Sequence, residues 1–587
     1  MVKIAVSVLA IALASIALIG LSFLDYASLK SAIDSLAPDG NAEQFTHARH
    51  NTAIVLFWTY SAIGALASFL IYSLRYQLIA IDIAKSFAHT RRDSIAYVRD
   101  SKSSHLWCCA TILFGGIVLR ILSLDQPIRS DESWTLLNYA SRNLLQIVSL
   151  YDSPNNHVLH SVLAHVSMSM FGEDPVVLRL PAVVAGISCM PLGYWLFYRL
   201  GDRCSAIFAL ALIAGWPMLV DYSTNARGYS MLVCFTLALL ICADVMRARA
   251  SIFAAGGYVL ICALGLYTIP SFAISILIAG VWMLWACIRG TVSTSRWQFI
   301  AQQTQMAGAV IALTLLLYSP VIAFSGMGAL LSNEVVTGTG VNMSDVPILA
   351  WAIFTDWHQG IPPWLVVLII MGFLISLFRH FDERLSFWFA TLVSGVIISS
   401  LQGTLGPPRI WIILLPLLLG GAGLWCTDLA NGKIRSFVVP ALSVGVFSLL
   451  FALHLGQPTN ALYRAFGAFP QAREIVEYAA ETMTANDAVL TMFPARRTMA
   501  YYDLRQNGKL TIMSKQGFLP DDFSGRALIV APVGRSDDEV FAWTATQGNT
   551  LLRTRPYRIV SAKPFGEVSV VEVQFEQVHQ PEVGPIQ

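Results

Sequence analysis

Hydrophobic residues in this chain come in long blocks separated by short polar loops, not at the helical or strand spacing of a water-soluble fold. A bilayer core is crossed by about 20 apolar residues in helical form. Blocks of that order lie near residues 4–24, 54–74, 106–124, 181–199, 205–220, 229–246, 251–269, 271–288, 306–326, 362–378, 385–401, 410–426 and 436–455, which predicts thirteen spans. From about residue 457 the pattern changes. A helical repeat (QAREIVEYAAETM) is followed by an apolar strand (DAVLTMF), a second helix (RRTMAYYDLRQ), strands at KLTIMS and RALIVAP, a helix near SDDEVFAWTATQ and a closing hairpin (RIVSAKPFGEVSVVEVQFE). Alternation of this kind predicts a small α/β domain. The expected fold class is thus mainly α: a polytopic transmembrane helical bundle of about 13 spans with a C-terminal extracytoplasmic α/β domain. Its parts are residues 1–105, a two-helix transmembrane extension with a cytoplasmic loop; 106–456, the main membrane module; and 457–587, the outer domain. No internal repeat or low-complexity stretch interrupts this plan.

Composition agrees. Of 587 residues, 56% are hydrophobic and only 13% charged, against about 25% charged in soluble domains. Mean hydropathy is +0.61. A net charge of +2 without a dense Lys/Arg run offers nothing to a phosphate backbone, which excludes nucleic acid as a partner. The nine Cys all precede the outer domain and form no disulfide framework or CxxC zinc site.

Charge also orients the spans. With the N-terminus inside, Arg91, Arg92, Arg99, Lys102, Arg203, Arg247, Arg249, Arg289, Arg296, Arg379, Arg384, Lys433 and Arg435 all fall in cytoplasmic loops. An odd number of spans then leaves the C-terminal domain outside. The first span is read as an uncleaved anchor, because a second span follows and its apolar stretch is long for a signal peptide. HVLHSVLAHVSMSMFG, residues 157–172, is short and carries three His, so it is expected to be a helix along the outer interface. A bacterial inner membrane, with the site and the outer domain facing the periplasm, fits these features.

Candidate chemistry collects at the outer loop ends. LDQPIRSDESWTLLNYA places the adjacent carboxylates Asp131 and Glu132 just after a span; they are either functional charges near hydrocarbon or part of an ordinary solvated loop. DYSTNARGYS presents Arg227 and Tyr229 among few other charges. Arg offers a planar fork suited to phosphate, and the alternative is a snorkelling side chain at a helix end. Arg179 and Arg409 likewise open outer ends of spans. His157 and His160, three apart, could join Asp131 or Glu132 around a divalent metal, or hydrogen-bond substrate, water or backbone. Asn155 and Asn156 either cap the following helix or bind sugar hydroxyls. The Gly- and Ser-rich loop from Ser325 to Pro347 and AWAIFTDWHQG are read as a lid with an amphipathic helix, and Trp357 and Trp364 as interface anchors.

Taken in order, DE after a span, NNHVLHSVL, FGEDPVVLRLPAVVAG, DYSTNARGYSM, LGLYTIP and PPRIWIILLP resemble the GT-C membrane glycosyltransferases of the protein O-mannosyltransferase and aminoarabinose-transferase type, over about residues 106–430. The first two spans and the polar segment 79–105 lie outside that resemblance, and LYTIP departs from the His-containing version of its motif. The resemblance implies inverting transfer of a sugar from a polyprenyl-phosphate carrier to an acceptor on the outer face. It makes Asp131, beside Glu132, the candidate base for the acceptor hydroxyl.

Elementary chemistry leads the same way. Nucleotide sugars are absent outside the inner membrane, so a transferase facing outward needs a lipid-linked donor. The leaving group is then a phosphate, whose developing charge Arg227, with Arg179 or Arg409, could stabilise. Tyr229 accompanies Arg227, and Asn155, Asn156, His157 and His160 are candidate substrate contacts. The expected partners are a polyprenyl-phosphate-linked sugar, membrane lipid, and a lipid, glycan or protein acceptor. Two rivals from other classes are a transporter or flippase for polyprenyl-linked lipid and a non-catalytic envelope scaffold. Related halves with broken midplane helices would favour the transporter, and the sequence displays neither.

Overall fold

A computed structural model describes residues 15–34, 45–73, 101–331 (apart from 152, 154, 250 and 293), 346–379, 408–427, 433–456, 469–484, 487–491, 495–506, 508, 510–513, 525–532, 557–566 and 568–575, with isolated positions in 85–100 and 387–394. The chain forms two compact units. One comprises Met1–Asp125 and Tyr139–Gly456; the other joins Gln126–Asn138 to Gln457–Gln587.

The first unit is helical and integral to the membrane. Among the described residues six helices are long and apolar enough to cross a bilayer, or eight if each of two bent pairs is one span. Three further expected spans form the shorter apolar helices Ile252–Thr268, Pro363–Phe378 and Pro408–Leu424, the last beginning as a 3-10 turn. The span expected at 54–74 is the helix His47–Ser73, while the first half of that at 4–24 and most of that at 385–401 lie outside the described residues, as do residues 332–345 of the loop expected from Ser325 to Pro347. Residues Val158–Phe171 do form a helix, and its 14 residues span about 21 Å, too short for a bilayer core. It stops at Gly172, whose φ of 93° is available to glycine at little cost.

The core of this unit is the helix Arg203–Gly215, in which every residue from Ala209 to Gly215 is buried. It is apolar on all sides because helices surround it: Ser103–Leu122, Pro175–Leu200, Leu415–Leu424 and Lys433–Gly456 all pack against it. Small residues permit the close approach. A Cβ on Gly423 would lie 2.8 Å from the Ser205 carbonyl oxygen, so only glycine lets these two backbones meet.

Pro217 then breaks the helix, and the chain bends by 60° into Pro217–Ser223. A helix end leaves carbonyls without intrahelical partners. Here the fully buried Arg120 supplies one: its Nη1 donates to the carbonyls of Ala214 and Gly116, each at 3.0 Å, and its Nε donates to Ser223 Oγ at 3.2 Å. The Trp216 indole N–H closes the other side of the bend by donating to the Trp357 carbonyl at 2.6 Å. Trp357 thus contributes a backbone acceptor inside the unit, whereas Trp364 is exposed.

The second unit is an α/β fold around a five-stranded sheet of order β2-β1-β3-β5-β4. The strands are β1 (Ala488–Leu490), β2 (Thr511–Met513), β3 (Arg526–Pro532), β4 (Tyr557–Phe565) and β5 (Val568–Phe575). β1 pairs parallel to β2 and β3, and the β4–β5 hairpin adds antiparallel to β3. The helices Ala472–Thr482 and Ala495–Arg505 cover the sheet through Ile475, Val476 and Met499 against Val489, Leu528 and Val570. Arg526 ties the sheet together by pairing with Asp487 at 3.0 Å and Glu572 at 2.9 Å. Burial works against the Asp487 carboxylate, but bonds from the Thr484 and Arg526 backbones and side chains outweigh it and hold its pKa below the usual value. The helix expected near 536–547 lies outside the described residues.

Candidate functional site

Two constellations emerge, one in each unit. In the membrane unit the loop before Val158–Phe171 meets the loop before Tyr229–Ala248. Arg227 donates through Nη1 to Asn155 Oδ1, and its Nη2 lies 3.2 Å from His157 Nε2. On the other side of the imidazole the Gly228 backbone N–H donates to Nδ1 at 2.8 Å. Asn155, His157 and Arg227 are all buried. Tyr229 lies beneath the guanidinium, its ring centre 5.5 Å from Arg227 Cζ, and meets His157 edge-on at 5.1 Å. Tyr222 packs edge-on against Tyr229, again at 5.1 Å.

Gly228 makes this approach possible. A Cβ there would fall 2.5 Å from Thr268 Cγ2 and 3.2 Å from His157 Nδ1. Thr268 belongs to LYTIP, so three sequence-distant motifs converge on one glycine, and threonine occupies the place beside it.

The electrostatics are unusual. Burial, followed by the positive charge of Arg227, holds the pKa of His157 well below the ordinary imidazole value, so the ring is neutral. A neutral imidazole has one lone pair. Two N–H groups, from Gly228 and Arg227, address it. Whichever tautomer forms, one of these two contacts brings an N–H group against another N–H group. The same features disfavour a divalent cation: both ring nitrogens face N–H donors and a guanidinium stands beside them. Among the described residues no three His, Cys, Asp or Glu side chains gather as a metal site.

The remaining candidates of this unit have other partners. Asn156 donates to the carbonyls of Ile147 and Leu150 at 3.2 and 2.7 Å and accepts from Ser161 Oγ at 2.8 Å, fastening its loop. Arg179 is fully buried and donates to the Leu124 carbonyl at 2.7 Å, anchoring the end of the span that precedes the acidic motif. His160 is buried one turn beyond His157. Arg409 is exposed at the start of its 3-10 turn, and its charge acts on His157.

The acidic pair belongs to the second unit. Ser130–Thr135 is a single helical turn and a half, and Glu132 Oε2 closes its N-terminus by accepting from the Arg129 backbone N–H at 2.9 Å. Ser133 Oγ and Thr135 Oγ1 donate to the carbonyls of Arg129 and Asp131, at 2.9 and 3.0 Å. Glu132 is fully buried, whereas the Asp131 side chain keeps 35% of its surface exposed. Asp131 Oδ1 pairs with Arg497 Nη1 at 3.4 Å, and the Arg497 guanidinium lies over the Trp134 ring at 4.1 Å. Sequence reasoning passed over Gly228 and Thr268, although both stand in quoted motifs. It also missed Arg497, for which no local signal exists.

No family model matches the chain, and no curated protein sequence does. Solved structures do. ArnT from Cupriavidus metallidurans in the apo state superposes with a TM-score of 0.52 at 12% identity, over 79% of this chain and 97% of that one. The same protein bound to undecaprenyl phosphate gives 0.53 at 13% identity, over 81% and 99%. The resemblance read from the ordered motifs therefore holds at the level of fold: this is a GT-C membrane fold with a small C-terminal sheet.

Proposed function

We propose that this protein is an inverting glycosyltransferase that moves a sugar from a polyprenyl-phosphate carrier to an envelope acceptor on the outer face of the membrane. The observation that carries this reading is that N–H groups face both ring nitrogens of His157, Gly228 at Nδ1 and Arg227 at Nε2, although a neutral imidazole accepts at only one of them. A phosphate oxygen between His157 and Arg227 would accept from both. Burial strengthens such contacts, because preorganised donors act in a site from which water is excluded. The likeness to an ArnT structure bound to undecaprenyl phosphate supports a lipid-linked donor.

In the reaction the acceptor oxygen attacks the anomeric carbon, the bond from that carbon to the phosphate oxygen breaks, and the configuration inverts. The sugar passes through an oxocarbenium-like state. Arg227, with His157, takes up the charge left on the lipid phosphate, and Arg409 adds its field. Asp131 accepts the proton of the attacking hydroxyl. Glu132, buried and bonded to the backbone, keeps the short acidic helix in shape.

The test compares envelope glycoconjugates by mass spectrometry in cells lacking the protein, complemented with wild type or Asp131→Asn at matched membrane levels. Loss of one sugar increment in the deletion and in the Asp131→Asn strain is expected. Full rescue by Asp131→Asn would remove Asp131 as the base, and an unchanged glycan profile in every strain would overturn the transferase reading.

A further inference from the structure

The outer α/β domain has no part in the mechanism so far, yet one of its side chains reaches the candidate base. Arg497 stands in the helix Ala495–Arg505, and its partners Asp131 and Trp134 lie 366 and 363 residues earlier in the chain, within the same compact unit. Asp131 and Trp134 are three apart on one helical turn, so their side chains share a face and a single guanidinium can touch both. Arg suits the task because its planar group stacks on an aromatic ring while its edge meets a carboxylate.

Stability does not account for the contact. Both charged side chains keep about a third of their surface in solvent, 28% for Arg497 and 35% for Asp131, and ion pairs that exposed add little to folding. What the contact does set is geometry. The backbone of Ser130–Thr135 is already held by Glu132, Ser133 and Thr135. The carboxylate rotor of Asp131 is intrinsically broad, so the contact narrows the freedom that the helix alone would leave.

We propose that Arg497 is a positioning residue that fixes the Asp131 carboxylate, with Trp134 as the platform orienting its guanidinium. This rests on Asp131 being the base. The outer domain then contributes to transfer through one arginine, by holding one carboxylate oxygen so that the other meets the acceptor hydroxyl.

The test uses the full-length protein as wild type, Asp131→Asn, Arg497→Ala, Arg497→Lys, Trp134→Leu and the Trp134→Leu/Arg497→Ala double variant. Three quantities are measured: the rate at which the sugar increment accumulates in cells after induction, affinity of the detergent-purified protein for undecaprenyl phosphate, and thermal unfolding. Misplacing a reacting group by about 1 Å costs on the order of 100-fold, so Arg497→Ala is expected to slow accumulation roughly 10- to 100-fold. Affinity and unfolding should stay unchanged, and Arg497→Lys should recover part of the rate. Trp134→Leu should slow transfer in the same direction, with little added in the double variant.

Arg497→Ala at the wild-type rate, with Asp131→Asn inactive, would overturn the positioning role alone. A wild-type rate for Asp131→Asn would instead remove the base on which it rests. If Arg497→Ala lost rate, affinity and unfolding temperature together, Arg497 would be a structural contact and the proposal would fail.

Discussion

The arginine cluster and the acidic turn are built on opposite plans. Asn155, His157 and Arg227 are each less than a tenth exposed, while Asp131 and Arg497 keep about a third of their surface. The first is assembled from loops some 70 residues apart that lock through a glycine; the second is completed from 366 residues downstream. The difference follows from what each would handle. Charge left on a lipid phosphate is best met by dipoles that need no rearrangement and compete with no water. A base would have to remain within reach of a hydroxyl arriving from solvent, which fits a carboxylate that is paired but not enclosed.

The contrast predicts separable losses. The largest is for Asp131→Asn, which should lower transfer by about 10²–10⁴-fold while affinity for undecaprenyl phosphate stays at its wild-type value. A fall in affinity with rate would erase the distinction between the two regions. Arg227→Ala should lower both, transfer by about 10²–10³-fold, as measured by titration of the purified protein with the same lipid. Arg227→Lys should restore little, because an ammonium cannot reach Asn155 and a phosphate oxygen in one plane as a guanidinium can.

Gly228→Ala sharpens the picture at smaller scale. The added methyl meets Thr268 and crowds His157, at a cost of about 1–3 kcal/mol visible in thermal unfolding, together with weaker lipid affinity and no change at Asp131. Unfolding lowered with affinity intact would show that the loops can part without losing the anion site.

The smallest effects concern pH, and they divide the regions again. His157 is depressed in the folded state, so below its unfolded pKa the unfolded chain binds the extra proton and the cluster loses stability as pH falls through about 6.5. Asp487 is also depressed. The stability it contributes is complete above the ordinary carboxylate value of 3.8 and is lost only as pH falls below it. Hydrogen exchange, corrected for intrinsic rates, should therefore loosen residues 155–161 between pH 7 and 5 while helix Ala472–Thr482 stays protected to below pH 4. His157→Gln should abolish the first change and leave the second.

Much of this was legible in sequence for simple reasons. Apolar blocks must become helices in lipid, and Arg227 stands out because charges there are few. The strands at 488–490, 511–513 and 526–532 and the closing hairpin follow from alternation and turns. What stayed hidden depends on partners. Glu132 reads as a second acid unless its place three residues after Arg129 is taken as a cap. That Arg179 also holds the Leu124 carbonyl could not be read from its position at a span end. That residues 126–138 join the second unit has no local signature, since the pairing of Asp131 with Arg497 spans 366 residues of the chain.

Arg120 also dictates an order of events during synthesis. An arginine at the centre of a membrane helix costs about 2.5–3.5 kcal/mol on insertion, and one in the last turn can reach back to the headgroups. Its acceptor at Ala214 is made 94 residues later. Until then, of these acceptors, only the Gly116 carbonyl of its own helix is within the chain already made. The contacts to Ala214 and Ser223 that bury Arg120 therefore require the bent segment at Pro217, so the packing of Ser103–Leu122 is completed only once the middle of the module has been synthesised.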